Sequence, residues 1–346
     1  MKSTVIALSL LLNSYSLPIP MEKASNYDKK MEVVVPDEDL EIVKNRFFNS
    51  DYLVFKKLIA NEDMSESGKG STIYFVYTSG GKPLAIIKKL PIHDEYDRKE
   101  LKDELSSLHE TYFYNTKYFN VPKLIGTAEF RSEDDSNAYI IETVAQGKSI
   151  NTLIKDTGKA NASKRVIAYR TLKASVEGVA KSFAEFHNLK KTSSYSPYYD
   201  EYYKDKADGA FEGPYGMIHG DAHLGNIFYD SKSNKTTFID LSFMPRSIEG
   251  APVGLDSGKF LFFLEGLSSF YGLTDRETEE LTELYINTYL YHNKKMTKEL
   301  INDYTLLACK DFAYPVDNKL EGKISQDGHL YRVAMQKIKS SSQTTV

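Results

Sequence analysis

The chain has 346 residues, a formal net charge of −4 and a sequence pI near 6.0. These values argue against a nucleic-acid-binding protein, which would show a basic surface, and the length is sufficient for two lobes with a hydrophobic core. One cysteine, Cys309, excludes an intrachain disulfide, and no Cys/His cluster suggests a zinc site.

Residues 1–30 are predicted to be a leader and linker. Lys2 precedes an apolar run over 5–12, and small residues follow, which is the layout of a short secretory signal. The run is too short to span a bilayer as a helix. Two interpretations stay open: an exported protein, or a dispensable N-terminal extension with Met21 or Met31 as an internal start.

The first half of the chain is predicted to alternate strands and helices. The β-rich runs over 72–77 and 84–88 flank a Ser-Gly-Gly turn, so they predict a hairpin. In chain order, the predicted elements are a helix over 38–48, strands over 72–77 and 84–88, a polar helix over 94–114, and strands over 121–125 and 139–142.

The second half is predicted to be mainly helical. Apolar residues recur at helical spacing over 172–186, which indicates a core-packing helix. Thr274 with Glu277 forms a capping box that would start a further helix. Another helix is predicted over 297–309.

The most informative segment runs from His219 to Asn226 and reads H-G-D-A-H-L-G-N. Asp240 follows at the end of an apolar run. An aspartate such as Asp221 can accept or orient the proton of an attacking hydroxyl group, and asparagine and aspartate oxygens are hard ligands for the magnesium ion that bridges nucleotide phosphates. Each residue alone is more often structural, but the combination at these offsets predicts phosphoryl transfer.

This segment resembles the catalytic loop of the aminoglycoside phosphotransferase and choline kinase family, a branch of the protein-kinase-like fold. Protein kinases usually carry H-R-D-x-K instead. The resemblance implies an α+β, bilobal protein-kinase-like fold, with a small antiparallel-sheet N-lobe over 31–144 and a mainly helical C-lobe over 145–346 that carries the catalytic loop.

The resemblance also implies an ATP-dependent phosphotransferase with an alcohol group as acceptor, and ATP and Mg²⁺ as cofactors. Asp221 would be the catalytic base or orienter. His219 would be a second catalytic residue or, alternatively, a structural histidine that hydrogen-bonds the loop backbone. Asn226 and Asp240 would hold the metal.

Kinase-like folds hold ATP between their lobes. Lys88 is the candidate for the lysine that contacts the α- and β-phosphates, and Lys89 is its rival, because strand alternation directs one of the two toward the ligand. The lysine needs a glutamate partner on the next helix. Glu104 is suitably placed, with Glu100 and Glu110 as alternatives.

Backbone groups would make the remaining nucleotide contacts that the resemblance implies. Gly68, Gly70 and Ser71 would cradle phosphate oxygens at the start of the hairpin, although the full G-x-G-x-x-G pattern is absent. A hinge that includes Glu142 and Val144 would bind adenine.

The acceptor is expected to be a small hydroxyl-bearing molecule. Aromatic and acidic residues over 195–203 suit a cationic acceptor, although a tyrosine-rich surface loop is an open alternative. Asp256 resembles the family's later aspartate at the start of a helix and is interpreted as a structural N-cap.

Two alternatives remain. One is a protein kinase, which could include a secreted effector and would accept a protein substrate, but Ala251-Pro252 is followed by Val253 and leaves no A-P-E segment. A nucleotide-binding pseudokinase scaffold would not need Asp221, Asn226 and Asp240 together. Nucleic-acid partners and an integral membrane span are not expected. Cytoplasmic localisation, in the producing or a recipient cell, fits ATP use, with export through the N-terminal segment as the alternative.

Overall fold

The computed structural model describes residues 31–48, 53–58, 71–112, 114, 116–131, 136–190, 213–241, 250–313 and 325–343. The leader predicted over 1–30 therefore lies outside the described residues. The chain divides into two compact units. The first comprises the described parts of Met1–Phe113 with Val121–Ala145, and the second those of Tyr114–Asn120 and Gln146–Val346.

Twelve strands are described: β1 (Met31–Val34), β2 (Leu53–Leu58), β3 (Thr72–Thr78), β4 (Pro83–Pro91), β5 (Phe119–Asn120), β6 (Leu124–Arg131), β7 (Ser136–Glu142), β8 (Lys148–Ser149), β9 (Tyr215–Gly216), β10 (Ile227–Asp230), β11 (Lys235–Phe238) and β12 (Ala251–Pro252). The described helices are α1 (Glu38–Phe47), α2 (Glu95–Tyr112), α3 (Ile150–Lys159), α4 (Ala162–Asn188), α5 (Gly254–Phe270), α6 (Asp275–His292), α7 (Lys298–Ala313) and α8 (Gln326–Gln343). None of these helices is both long and apolar enough to cross a lipid bilayer.

The first unit is built on a six-stranded antiparallel sheet in the order β1-β2-β3-β4-β7-β6. The predicted hairpin is β3–β4, and its turn contains Gly81 at φ 77°, a backbone conformation that glycine adopts readily. Strands β1 and β2 were not predicted, because neither shows the clear alternation of apolar and polar residues that marks a half-buried strand.

Side-chain alternation gives this sheet two distinct faces. In β3, Tyr74 packs into the cluster that includes residues of α1, whereas Phe75 packs into a separate cluster with Ile86 of β4. Successive side chains of a strand point to opposite faces. Lys88 therefore shares the face of Ile86, and Lys89 lies on the opposite face.

The second unit is mainly helical, so the predicted α+β class is confirmed. The helix predicted over 172–186 is the C-terminal part of α4, and its apolar positions belong to the buried face of that helix. The predicted capping box is present at the start of α6, where Thr274 and Glu277 bond each other's backbone N–H groups. Thr297 accepts a hydrogen bond from Leu300 N (3.2 Å) at the start of α7.

Residues 219–226 form the candidate catalytic segment, which lies between β9 and the β10–β11 hairpin. Phe238, at the end of β11, anchors this region in the core. Its ring lies 4.9 Å from Phe183, 5.3 Å from Phe119 and 5.6 Å from Phe186, and 5.8 Å from the imidazole of His219. Because Phe238 is fully buried, it links the catalytic segment to the packing of α4.

We expect Phe238→Ala to lower the free energy of unfolding by about 3–5 kcal/mol, because truncation of a buried aromatic residue removes apolar contacts and leaves a cavity. Phe270→Ala is the matched control, since that ring is 39% exposed. Urea denaturation of both variants checks this, and equal losses would contradict the anchoring role of Phe238.

Candidate active site

The catalytic segment is anchored by Asp256, which lies in the first turn of α5 and is 1% exposed. Its Oδ2 accepts a hydrogen bond from His219 N (2.7 Å), and its Oδ1 accepts one from Gly220 N (2.9 Å). The prediction that Asp256 is an N-cap is wrong, because Val253 holds that position. The carboxylate bonds the backbone of the distant catalytic segment instead.

A buried relay of polar side chains supports this carboxylate. His187 Nε2 lies 3.0 Å from Asp256 Oδ2, and His187 Nδ1 lies 2.7 Å from the hydroxyl of Tyr289. Asn293 Nδ2 donates to that hydroxyl oxygen at 3.0 Å. Burial raises the pKa of Asp256, but the hydrogen bonds and charge of His187, with the backbone donors, outweigh burial and lower it. The carboxylate therefore stays ionised in the core.

His219 has a positioning role. The side chain is fully buried, and its Nδ1 accepts a hydrogen bond from the backbone N–H of Asp221 (3.2 Å). The ring meets Phe238 edge to face. This geometry favours the structural alternative for His219 over direct participation in chemistry.

The Asp221 carboxylate is held by three neighbouring groups. Its Oδ1 lies 2.7 Å from Lys259 Nζ, and its Oδ2 lies 3.3 Å from Asn226 Nδ2 and 3.7 Å from His223 Nε2. Burial raises the pKa of Asp221, but the charge and hydrogen bond of Lys259, together with the charges that His223 and His219 carry at low pH, outweigh burial and lower it to about 2. Asp221 is therefore an ionised hydrogen-bond acceptor at neutral pH.

His223 is neutral in this arrangement. Its Nδ1 accepts a hydrogen bond from Gly225 N (3.1 Å), so the neutral ring carries its proton on Nε2, which faces Asp221. Desolvation lowers the pKa of His223, and the repulsion of Lys259 adds to this, although the charges of Asp221 and Asp240 oppose it.

Asn226 connects the catalytic segment to the strand that precedes Asp240. Its Nδ2 donates to the backbone carbonyl of Asp221 (3.2 Å) as well as to the Asp221 carboxylate, and its backbone carbonyl accepts a hydrogen bond from Ile239 N (3.0 Å). With the amide nitrogen engaged in this way, Oδ1 is the side-chain atom available to a cation.

Asp240 is exposed and has φ 59°, in the left-handed region that non-glycine residues seldom adopt. Such strained residues concentrate at functional sites. The described residues contain no group of three His, Cys, Asp or Glu that could hold a metal ion. Asn226 and Asp240 instead fit Mg²⁺, which usually binds one or two protein oxygens and completes its coordination with phosphate and water.

A cavity of about 290 Å³ in the second unit adjoins Asp221. Its charged groups are those of Asp221, Lys259 and Asp311, and the remaining wall is largely aromatic and aliphatic. The lining residues are Ile218, Gly220, Asp221, Leu255, Lys259, Phe262, Phe263, Tyr304, Leu307, Ala308, Asp311 and Phe312. This cavity is not evident from the sequence, because its lining comes from three separate segments of the chain.

In the first unit, Lys88 lies between two buried carboxylates. Its Nζ is 2.5 Å from Glu104 Oε1 and 3.4 Å from Glu142 Oε1. Glu104 is thus the helix glutamate that contacts this lysine, as proposed from the sequence. The Glu142 side-chain contact was not foreseen, since this residue was expected to contribute backbone groups. Lys89 instead lies 3.5 Å from Asp37 Oδ2, on the opposite face of the sheet.

The other candidate residues for nucleotide and acceptor binding are placed only in part. Val144 is half-buried against the apolar cluster of β3 and β4, and Ser71 is exposed immediately before β3. Gly68, Gly70 and the tyrosine-rich segment over 195–203 lie outside the described residues.

Sequence reasoning missed Lys259 and His187. Lys259 is the only lysine within the apolar sequence of α5 and follows Asp256 by three residues, so the two share a helix face. A lone cation in an apolar helix was a detectable signal. His187 gave a weaker one, since a histidine on the buried face of α4 also suits a core position.

The sequence matches no protein-family model and no curated protein. Its fold is similar to several solved kinases. A glucosamine kinase in complex with glucosamine, ADP and inorganic phosphate shares 10% identity over 90% of this chain and 84% of its own, with a TM-score of 0.49. Choline kinase LicA from Streptococcus pneumoniae shares 13% sequence identity over 87% of this chain and 98% of its own, with a TM-score of 0.47. An aminoglycoside phosphotransferase from Streptomyces rimosus shares 14% sequence identity over 69% of this chain and 88% of its own, with a TM-score of 0.44.

We expect Asp256→Asn to lower the free energy of unfolding at pH 7 by about 3 kcal/mol, because it breaks a buried charge network. The folded-state pKa of Asp256 is lowered. Its contribution is therefore present above the unfolded pKa of about 4 and lost as the pH falls through the folded value.

The deficit of Asp256→Asn relative to the unaltered protein should consequently shrink as the pH falls from 7 to 3 in urea titrations. Asp303→Asn, at an exposed position, is the control and should change little at any pH. A deficit that stays constant across this range would contradict the proposed charge state of Asp256.

Proposed function

We propose that this protein is an ATP-dependent phosphotransferase that moves the γ-phosphoryl group to a hydroxyl group of a small molecule. The observation that carries the proposal is the placement of Asp221: its carboxylate is fixed by Lys259 and Asn226 at the wall of a cavity large enough for a small ligand. A residue that only stabilised a turn would not need such an environment.

In the proposed reaction, the acceptor hydroxyl oxygen forms a bond to the γ-phosphorus of ATP. The bond between that phosphorus and the β,γ-bridging oxygen breaks, and its electron pair leaves with ADP. Asp221 accepts the hydrogen bond of the hydroxyl group, orients its oxygen, and receives its proton as the new bond forms. With its low pKa, Asp221 acts mainly by orientation and takes the proton late.

The other candidate residues would neutralise the negative charge of the nucleotide phosphates. Asn226 and Asp240 would hold Mg²⁺, which when bound neutralises phosphate charge and orients the phosphoryl group. Lys88, steadied by Glu104 and Glu142, would contact the α- and β-phosphates. Positioning and charge neutralisation supply most of the rate in reactions of this class.

The acceptor is proposed to be a small alcohol that also carries a positive charge. Phe262, Phe263, Tyr304 and Phe312 present ring surfaces to the cavity, and Asp311 adds a carboxylate. Aromatic faces and a carboxylate both attract organic cations, so a hydroxylated amine would suit this lining better than a neutral or anionic alcohol.

We expect Asp221→Ala to reduce phosphoryl transfer by about 10³-fold or more, because it removes the group that orients the acceptor. ATP binding should be retained. The assay is Mg²⁺-dependent transfer from ATP labelled in the γ-phosphate, with a pool of hydroxylated amines and a separate pool of mixed proteins as acceptors.

Label on a small amine-containing alcohol, lost in Asp221→Ala, would support the proposal. Label on protein alone would favour a protein kinase. ATP binding without transfer in either pool would favour a pseudokinase scaffold, and equal transfer by Asp221→Ala and the unaltered protein would overturn the role of Asp221.

We expect Asp240→Gly to abolish Mg²⁺-dependent ATP binding without lowering stability. Glycine adopts the left-handed conformation at φ 59° without strain from a Cβ atom. The free energy of unfolding of Asp240→Gly should therefore be unchanged or higher by about 0.5–1 kcal/mol. Calorimetric titration with and without Mg²⁺ checks the first effect, and urea denaturation the second. Retained Mg²⁺-dependent binding would exclude Asp240 as a ligand.

A further inference from the structure

One face of helix α5 forms hydrogen bonds with the catalytic segment at two points. Asp256 bonds the backbone N–H groups of His219 and Gly220, and Lys259, three residues further along the helix, bonds the Asp221 side chain. Residues three apart on a helix lie on the same face. The same element therefore fixes both the backbone of this segment and the direction of its carboxylate.

Stability alone does not explain a lysine at this position. The helix is otherwise largely apolar, and Phe260, Leu261 and Phe262 beside Lys259 are buried. Partly exposed ion pairs contribute little to stability, and apolar residues of similar size often replace buried pairs without loss. The side chains of Lys259 and Asp221 are 29% and 25% exposed, so a methionine could pack in place of the lysine.

The pair also lies where chemistry is proposed. Lys259 and Asp221 both line the cavity of about 290 Å³. The contact joins Lys259 Nζ to Asp221 Oδ1, whereas Asn226 and His223 lie on the side of Oδ2. Because both carboxylate oxygens are restrained, the Asp221 carboxylate has little rotational freedom. A small displacement of a catalytic group lowers the reaction rate strongly.

We propose that Lys259 is a positioning residue for phosphoryl transfer, which acts by fixing the carboxylate of Asp221 at the wall of the acceptor cavity. This inference rests on the proposed function. It assigns a role to a residue 38 positions away from Asp221 in the sequence, outside the H-x-D-x-x-x-x-N motif.

The test is a double-mutant cycle on the full chain, with Mg²⁺-dependent ATP hydrolysis as the probe and water as the acceptor. We expect Lys259→Met to lower kcat about 100-fold and Asp221→Asn about 1000-fold, with KM for ATP changed by less than about threefold in each. Because Lys259 acts through Asp221, the double variant should be no slower than Asp221→Asn alone.

Two further variants separate positioning from folding. Lys259→Arg restores a cation and should recover at least about tenfold of the lost kcat. Lys337→Met is the matched control, since Lys337 also forms an ion pair with α5, through Glu265, and its kcat should be unchanged. If Lys259→Met does not fold, the kcat of Lys259→Arg is compared with that of the unaltered protein and should lie within about tenfold of it.

Multiplied losses in the double variant, or no recovery in Lys259→Arg, would overturn the role of Lys259 while the loss in Asp221→Asn still supported the proposed function. An equal loss of kcat in Lys337→Met would show a structural effect and would also overturn it. Hydrolysis unaffected by Asp221→Asn would instead contradict the proposed function, and the role of Lys259 would fall with it.

Discussion

The arrangement of the candidate active site depends on one buried carboxylate. Asp256 has no solvent to stabilise its charge, so it stays ionised only while His187 and two backbone N–H groups of the catalytic segment bond to it. The buried carboxylate thus receives the hydrogen bonds that its charge requires, and the N–H groups of an irregular loop receive their acceptor. Because the bonds join helix α5 to His219 and Gly220, the fold of the helical unit determines where Asp221 stands.

The charge state and orientation of Asp221 depend on residues near this anchor. Lys259 lies on the same face of α5 and keeps the Asp221 carboxylate ionised, while Asn226 orients it through its amide nitrogen. In the proposed function, the amide oxygen of Asn226 and the carboxylate of Asp240, whose backbone has φ 59°, would bind the cation. Fixed charges in a partly enclosed site need no reorganisation during reaction, which is how protein groups lower the barrier to phosphoryl transfer.

Local sequence patterns predicted the parts of this site that are close together in the chain. A few neighbouring residues determine the motif of His219, Asp221 and Asn226, and the same is true of the capping box of α6, so both could be predicted from the sequence. The contacts of Lys259 with Asp221 and of Glu142 with Lys88 could not be predicted, because packing brings together partners that are far apart in the sequence. Likewise, strands β1 and β2 lack alternation and owe their conformation to pairing within the sheet.

The proposed function requires the catalytic segment and Asp240 to bind magnesium and the phosphates of a nucleotide. A crystal structure of the full chain with Mg²⁺ and a non-hydrolysable ATP analogue tests it most directly. We expect a Mg²⁺ ion within about 2.1 Å of Asn226 Oδ1 and of an Asp240 carboxylate oxygen, with phosphate oxygens completing its coordination. A nucleotide whose phosphates and metal lie away from both side chains would contradict it.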